Sequence, residues 1–211
     1  MTSRIGVFGG MFDPVHNGHI EAANLAVSAL ELDQLRLVPC ALPNHRDPAR
    51  ATAQQRVRML ELAISGWPKL SVDQREIERE GVSYAVDTLQ SLRDEFPEHH
   101  LVFIMGLDSF NTLPQWHQWL RLFELAHLMV LNREGGELSE EVCEALKPYG
   151  RLVAKSSALF EQSVGNVYFE EAFANDFSSS RLRERMRANE EVDSMINERV
   201  HLFIEDERLY R

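Results

Sequence analysis

The chain is 211 residues long and 44% hydrophobic, enough for one α/β domain (1–211) with a single packed core. Its formal charge of -11, from 22 basic and 33 acidic side chains, repels a long polyanion and argues against nucleic acid, while a small anion can still be held by a few local donors. No apolar run nears the ~20 residues of a membrane helix, and the N-terminal stretch breaks at Asp13, too early for a signal peptide, so a cytoplasmic protein with no membrane partner is expected.

In chain order, short apolar runs alternate with segments of helical periodicity. A strand is expected at Arg4–Phe8, a helix at Gly18–Leu30, a strand at Gln34–Cys40 and a helix at Gln54–Ser65. Then come strand Leu70–Arg75, helix Tyr84–Glu95, strand His100–Gly106, helix Gln115–Leu125, strand His127–Asn132 and helix Ser139–Leu146. Strands Arg151–Lys155 and Val164–Glu170 follow, and helices Ser179–Arg187 and Asn197–Leu209 form a small C-terminal helical part, 178–211. This alternation predicts a mostly parallel sheet with helices on both faces. The breaker-rich stretches Leu42–Arg50 and Arg133–Glu137 directly follow strands, where open α/β sheets build their sites. Cys40 and Cys143 have no CxxC spacing and read as reduced thiols.

The stretch GVFGGMFDPVHNGHIEAANLA crosses the first strand, its loop and the next helix. Gly9 and Gly10 leave backbone open to an anion, and the helix start adds free N–H groups and the positive end of its dipole. His16 and His19, three apart, share a face at that helix start, and Gly18 between them removes a side chain that would crowd a ligand. Each feature alone has a bland reading: a tight turn, a capping histidine, ordinary Asp-Pro turn chemistry. In this order they point to phosphate chemistry.

The run Gly9-Gly-Met-Phe-Asp-Pro-Val-His-Asn-Gly-His19 resembles the HxGH signature of the nucleotidyltransferase superfamily of adenylyl and cytidylyl transferases. The resemblance implies a Rossmann-like fold and a reaction that joins a nucleotide to a phosphate with release of pyrophosphate. It makes His16 and His19 the catalytic pair and assigns Gly9, Gly10, Met11, Phe12 and Gly18 to ATP. Three later stretches, GVSYAVDTL (Gly81–Leu89), MGLDSF followed by LPQWHQW, and DFSSSRLR (Asp176–Arg183), resemble the bacterial nicotinate-nucleotide adenylyltransferases in order and spacing. That family resemblance assigns Ser179, Ser180 and Arg183 to the ATP phosphates. It assigns His45, Arg46, Ser83, Tyr84, Ala85, Thr88, Asp108, Trp116, His117 and Arg133 to nicotinate mononucleotide, with Trp116 stacking on the pyridine ring. Mg²⁺ is expected with ATP, held by phosphates and water, with no protein metal ligand. The partners implied are ATP and nicotinate mononucleotide, in a monomer or homo-oligomer.

The chain departs from the family at Met11, where a hydroxyl is common, at Asn44-His45-Arg46, and at Arg133-Glu134-Gly135, which weakens the phosphate role of Arg133. Bland readings stay open: Trp116 and Trp119 as one buried face, Ser178–Ser180 as an N-cap, the nearby arginines as a solvated face, Asp108 as a helix cap. Rival functions are a related adenylyltransferase acting on nicotinamide mononucleotide or another phosphate acceptor, a hydrolase with a metal on Asp13, His16 and His19, and a nucleotide sensor on the same fold.

Overall fold

The computed structural model describes residues 2–43, 48–132, 136–148, 151–171, 173 and 177–211. Seven strands, β1 (Arg4–Gly10), β2 (Gln34–Pro39), β3 (Leu70–Val72), β4 (His100–Gly106), β5 (His127–Leu131), β6 (Arg151–Val153) and β7 (Asn166–Glu170), form one sheet in the order β3-β2-β1-β4-β5-β7-β6. Every pairing among them is parallel. The strands are near-continuous apolar runs because both faces of a parallel sheet are covered. Side chains alternate between two cores: on β4, Val102 and Ile104 join one face, and Leu101, Phe103 and Met105 the other.

Helices α1 (Asn17–Ala29), α2 (Ala53–Ile64), α8 (Ser179–Arg187) and α9 (Glu198–Asp206) cover the first face, through residues such as Ala23, Leu60, Leu182 and Val200. The second face is covered by α4 (Ala85–Glu95), α5 (Leu107–Asn111), α6 (Leu122–Leu125) and α7 (Glu140–Leu146). Among the described residues no helix is long and apolar enough to cross a membrane.

Each expected strand is present; the first runs on to Gly10, His100–Gly106 keeps its bounds, and the other five are trimmed at an end. The third stops at Val72 because the Asp73 carboxylate accepts from the Arg75 amide (3.1 Å) and guanidinium (2.9 Å), turning the chain into α3 (Arg75–Glu78). The helix expected over Gln115–Leu125 is not continuous. It is a 3-10 turn at Leu113–Gln115, extended backbone at Trp116, Gln118 at φ 49°, a second 3-10 turn at Trp119–Arg121, and then α6. Pro114 sits second in the first turn and left-handed Gln118 breaks any longer helix, so apolar spacing alone misleads there.

The chain runs β1 to β3 toward one edge, then crosses back so that β4 pairs with the other side of β1. That reversal opens a crevice outside the carboxyl ends of β1 and β4. Gly9 and Gly10 lie at one lip and Met105 and Gly106 at the other.

Candidate active site

Two adjoining chambers fill this crevice. The larger, about 560 Å³, is lined by the β1 loop from Gly9 to Asp13, by His16, Gly18 and His19 of the α1 start, by Gly106 and Asp108, and by Ser178–Ser180 and Arg183 of α8. The smaller, about 200 Å³, is lined by Cys40, Glu76, Ser83, Tyr84, Ala85, Thr88, Trp116 and His117. They share Gly9, Gly10, Met11, Phe103, Ser109 and Trp116, so the two spaces meet along one wall.

In the larger chamber, the His16 and His19 rings stack at 3.7 Å, and the Phe12 ring meets His19 edge-on at 5.0 Å. The His16 amide donates to His19 Nδ1 at 3.2 Å, which puts the neutral ring's proton on Nε2 and fixes that nitrogen as the donor. A Cβ on Gly9 would meet only Phe103, at an ordinary 3.7 Å, so the space it would take belongs to the crevice. Gly10 lines the same space, and a Cβ there would also sit 2.9 Å from the Phe12 ring, which folds over it with Phe12 at φ 49°. Its missing side chain makes room for Phe12.

A buried polar brace stands behind this loop. Asp13, 5% exposed, accepts from the amides of Arg50 (2.8 Å) and Ala51 (3.1 Å) and from the Tyr210 hydroxyl (2.7 Å). Burial, then the Asp13 carboxylate beside it, push the Tyr210 phenol well above its ordinary range, so it stays a donor. Arg56, 1% exposed, reaches from α2 to the Met11 carbonyl at 2.9 Å; burial lowers its pKa, and the neighbouring Cys40 and Asp13 oppose that shift. The Asp13 carboxylate is thus engaged by loop amides and a phenol, and it does not join the two histidines as a third metal ligand. Among the described residues no three of His, Cys, Asp and Glu gather as metal ligands.

The α8 start is more braced than the sequence implies. Ser178 is the N-cap, its oxygen accepting from the Arg181 amide at 3.2 Å. The Ser179 hydroxyl donates to the Pro14 carbonyl (2.9 Å), Arg183 Nη1 donates to the Asp13 carbonyl (2.5 Å), and Arg183 Nη2 donates to Ser180 Oγ (3.2 Å). These side chains therefore tie α8 to the Asp13-Pro14 loop as well as lining the chamber.

In the smaller chamber Trp116 stands edge-on to Phe103 at 6.4 Å, its indole N–H donating to Thr112 Oγ1 at 3.3 Å. His117 lies over the Tyr84 ring at 4.4 Å. Ser83 is part of the frame: its amide donates to the Leu42 carbonyl (2.9 Å), and its hydroxyl oxygen accepts from the Ala41 amide (3.1 Å). The start of α4, at Tyr84 and Ala85, brings free amides and a positive dipole end to this chamber. Asp108 lines the larger chamber and not the smaller one. His45, Arg46 and Arg133 lie outside the described residues. Sequence reasoning missed Glu76, Arg56 and Tyr210. Arg56 left a signal, since it falls on the same helical stripe as Met59, Leu60 and Ala63, where a charge needs an internal partner.

The cytidylyltransferase-like family model matches residues 7–185. The chain is 41% identical to the "probable nicotinate-nucleotide adenylyltransferase" of Methylococcus capsulatus, over 98% of this chain and 99% of that one. It is 39% identical to the protein of the same name from Marinomonas sp., over 100% and 96%. Among solved structures, Plasmodium falciparum nicotinic acid mononucleotide adenylyltransferase complexed with NaAD superposes with a TM-score of 0.75, over 99% of this chain and 97% of that one, at 16% identity, a likeness of fold. With the HxGH loop, the crossover and two joined chambers in place, the chain belongs to the cytidylyltransferase-like family and, within it, to the nicotinate-nucleotide adenylyltransferases.

Proposed function

We propose that the chain transfers the adenylyl group of ATP to the phosphate of nicotinate mononucleotide, giving nicotinate adenine dinucleotide and pyrophosphate, as a step of NAD biosynthesis. The observation that carries this reading is the shared wall. Two chambers meeting at Gly9–Met11, Ser109 and Trp116 suit two substrates that react with each other. ATP takes the larger chamber, its phosphates toward Gly9, the α1 start and the α8 start. The pyridine takes the smaller one, with Trp116 on its face and the α4 amides toward its carboxylate.

The reaction is a direct displacement. A phosphate oxygen of the mononucleotide attacks the α-phosphorus, the bond to the bridging oxygen breaks, and pyrophosphate leaves. The acceptor is already an anion near neutral pH, so no side-chain nucleophile is required. Catalysis is positioning plus charge stabilisation. His19 Nε2–H donates to an oxygen that gains charge, and His16, stacked against it, keeps the ring in place. Magnesium would enter with ATP as part of the substrate and would share the charge of its phosphates.

Pyrophosphate release from magnesium ATP tests the reading, with nicotinate mononucleotide, nicotinamide mononucleotide or phosphopantetheine as acceptor. Release strongest with the nicotinate nucleotide supports it; release strongest with either other acceptor reassigns the smaller chamber, and release with none refutes the reading.

A further inference from the structure

The smaller chamber has a carboxyl group in its wall. Glu76, 7% exposed, accepts a hydrogen bond from Thr88 Oγ1 at 2.6 Å, and both residues line the chamber. The Thr88 oxygen in turn accepts from Arg79 Nη2 at 3.3 Å. The Ser83 oxygen, which accepts from the amides of Ala41 and Leu42, lines the same chamber. With Glu76 ionised, the Thr88 hydroxyl hydrogen turns toward it and the chamber faces the Thr88 lone pair and a negative charge. Such a wall suits the N–H groups of a carboxamide and repels a carboxylate.

We propose that Glu76 is a specificity-determining residue: it takes a proton from solvent when a pyridine carboxylate binds and donates it to Thr88, whose own hydroxyl hydrogen then turns toward the substrate. The inference rests on nicotinate mononucleotide being the acceptor. Burial already holds the Glu76 carboxyl above the usual carboxylate range, against the hydroxyls of Thr88 and Ser83 and the charge of Arg79. The charged groups that face it are Arg79 and Asp73 along its own segment and Arg56 from α2. A substrate carboxylate adds a like charge and raises proton affinity further; a carboxamide does not.

The test is calorimetry of nicotinate mononucleotide and nicotinamide mononucleotide binding to the full chain, in buffers of different ionisation enthalpy. The phosphate is common to both ligands and cancels in their difference. The acid is expected to take up as much as about one proton per site more than the amide. The acid-over-amide affinity ratio should fall by up to about tenfold per pH unit once Glu76 ionises in the free protein. Glu76→Gln, whose amide donates to Thr88 at every pH, should remove the extra proton and flatten that ratio. Thr88→Val should weaken the acid about tenfold, more than it weakens the amide. Equal proton uptake for the two ligands, or a Glu76→Gln ratio that still falls with pH, overturns the proposal. An acceptor misassignment has its own signature: the acid produces no binding heat in any buffer while the amide binds, which overturns both readings.

Discussion

The two chambers are built in different ways. The larger is made of backbone and helix starts, and the side chains around it are mostly occupied in holding that backbone: Asp13 by Tyr210, Met11 by Arg56, Pro14 by Ser179. The smaller adds to the α4 start a set of side chains, with hydroxyls, rings and one carboxyl facing the space. A triphosphate whose charge moves during reaction gains most from donors fixed beforehand, because no reorganisation is then needed. A pyridine nucleotide must be told from close relatives, and discrimination of that kind comes from side-chain polar groups. On the proposed function, one chamber serves rate and the other choice.

The largest expected effect lies in the rate chamber. His19→Ala should lower turnover about 10²–10³-fold, roughly 3–4 kcal/mol, with the circular dichroism spectrum unchanged. A loss below about fivefold in steady-state assays would break the contrast by removing the fixed donor. Next comes an effect at neither chamber. His127, at the amino end of β5, is buried beside His100 (3.4 Å), and burial, the His100 charge and Arg93 lower its pKa to about 4. The unfolded chain binds this proton near pH 6.5, so the stability is fully present above that pH and is lost as pH falls toward 4. The loss should reach roughly 3 kcal/mol in urea unfolding across that window, and His127→Gln should flatten it. An unchanged slope in the variant would shift acid sensitivity elsewhere, the braced loop included.

Tyr210→Phe removes one of the donors to buried Asp13 and should cost about 2 kcal/mol of stability in thermal unfolding, with turnover falling through the loop that carries His16. No change in either would mean that the loop amides of Arg50 and Ala51 suffice. The smallest effect belongs to the choice chamber. Trp116→Ala should raise KM for the mononucleotide about tenfold and alter KM for ATP much less, sharpening the division between the chambers. Equal effects on both substrates would blur it, since Trp116 stands on the shared wall.

The fold was legible because a parallel sheet writes itself as short apolar runs, and all seven runs became strands. The larger chamber was legible because its parts, Gly9, His16 and His19, are close in sequence. The segment around Trp116 was not: its apolar spacing mimics a helix, while Pro114 and left-handed Gln118 break it. The Asp13–Tyr210 bond spans 197 positions and the Glu76–Thr88 bond joins two elements, so neither has a local pattern to betray it. Sequence spacing reports neighbours along a helix or strand, and these braces are made by the crossover and the chain's last turn.

The central claim is that two substrates react directly across the shared wall. Transfer from ATP made chiral at the α-phosphorus by sulfur, followed by analysis of the dinucleotide, tests it most directly. A single in-line displacement predicts inversion of configuration at that phosphorus. Retention would mean two displacements through an adenylylated side chain, and would contradict the account.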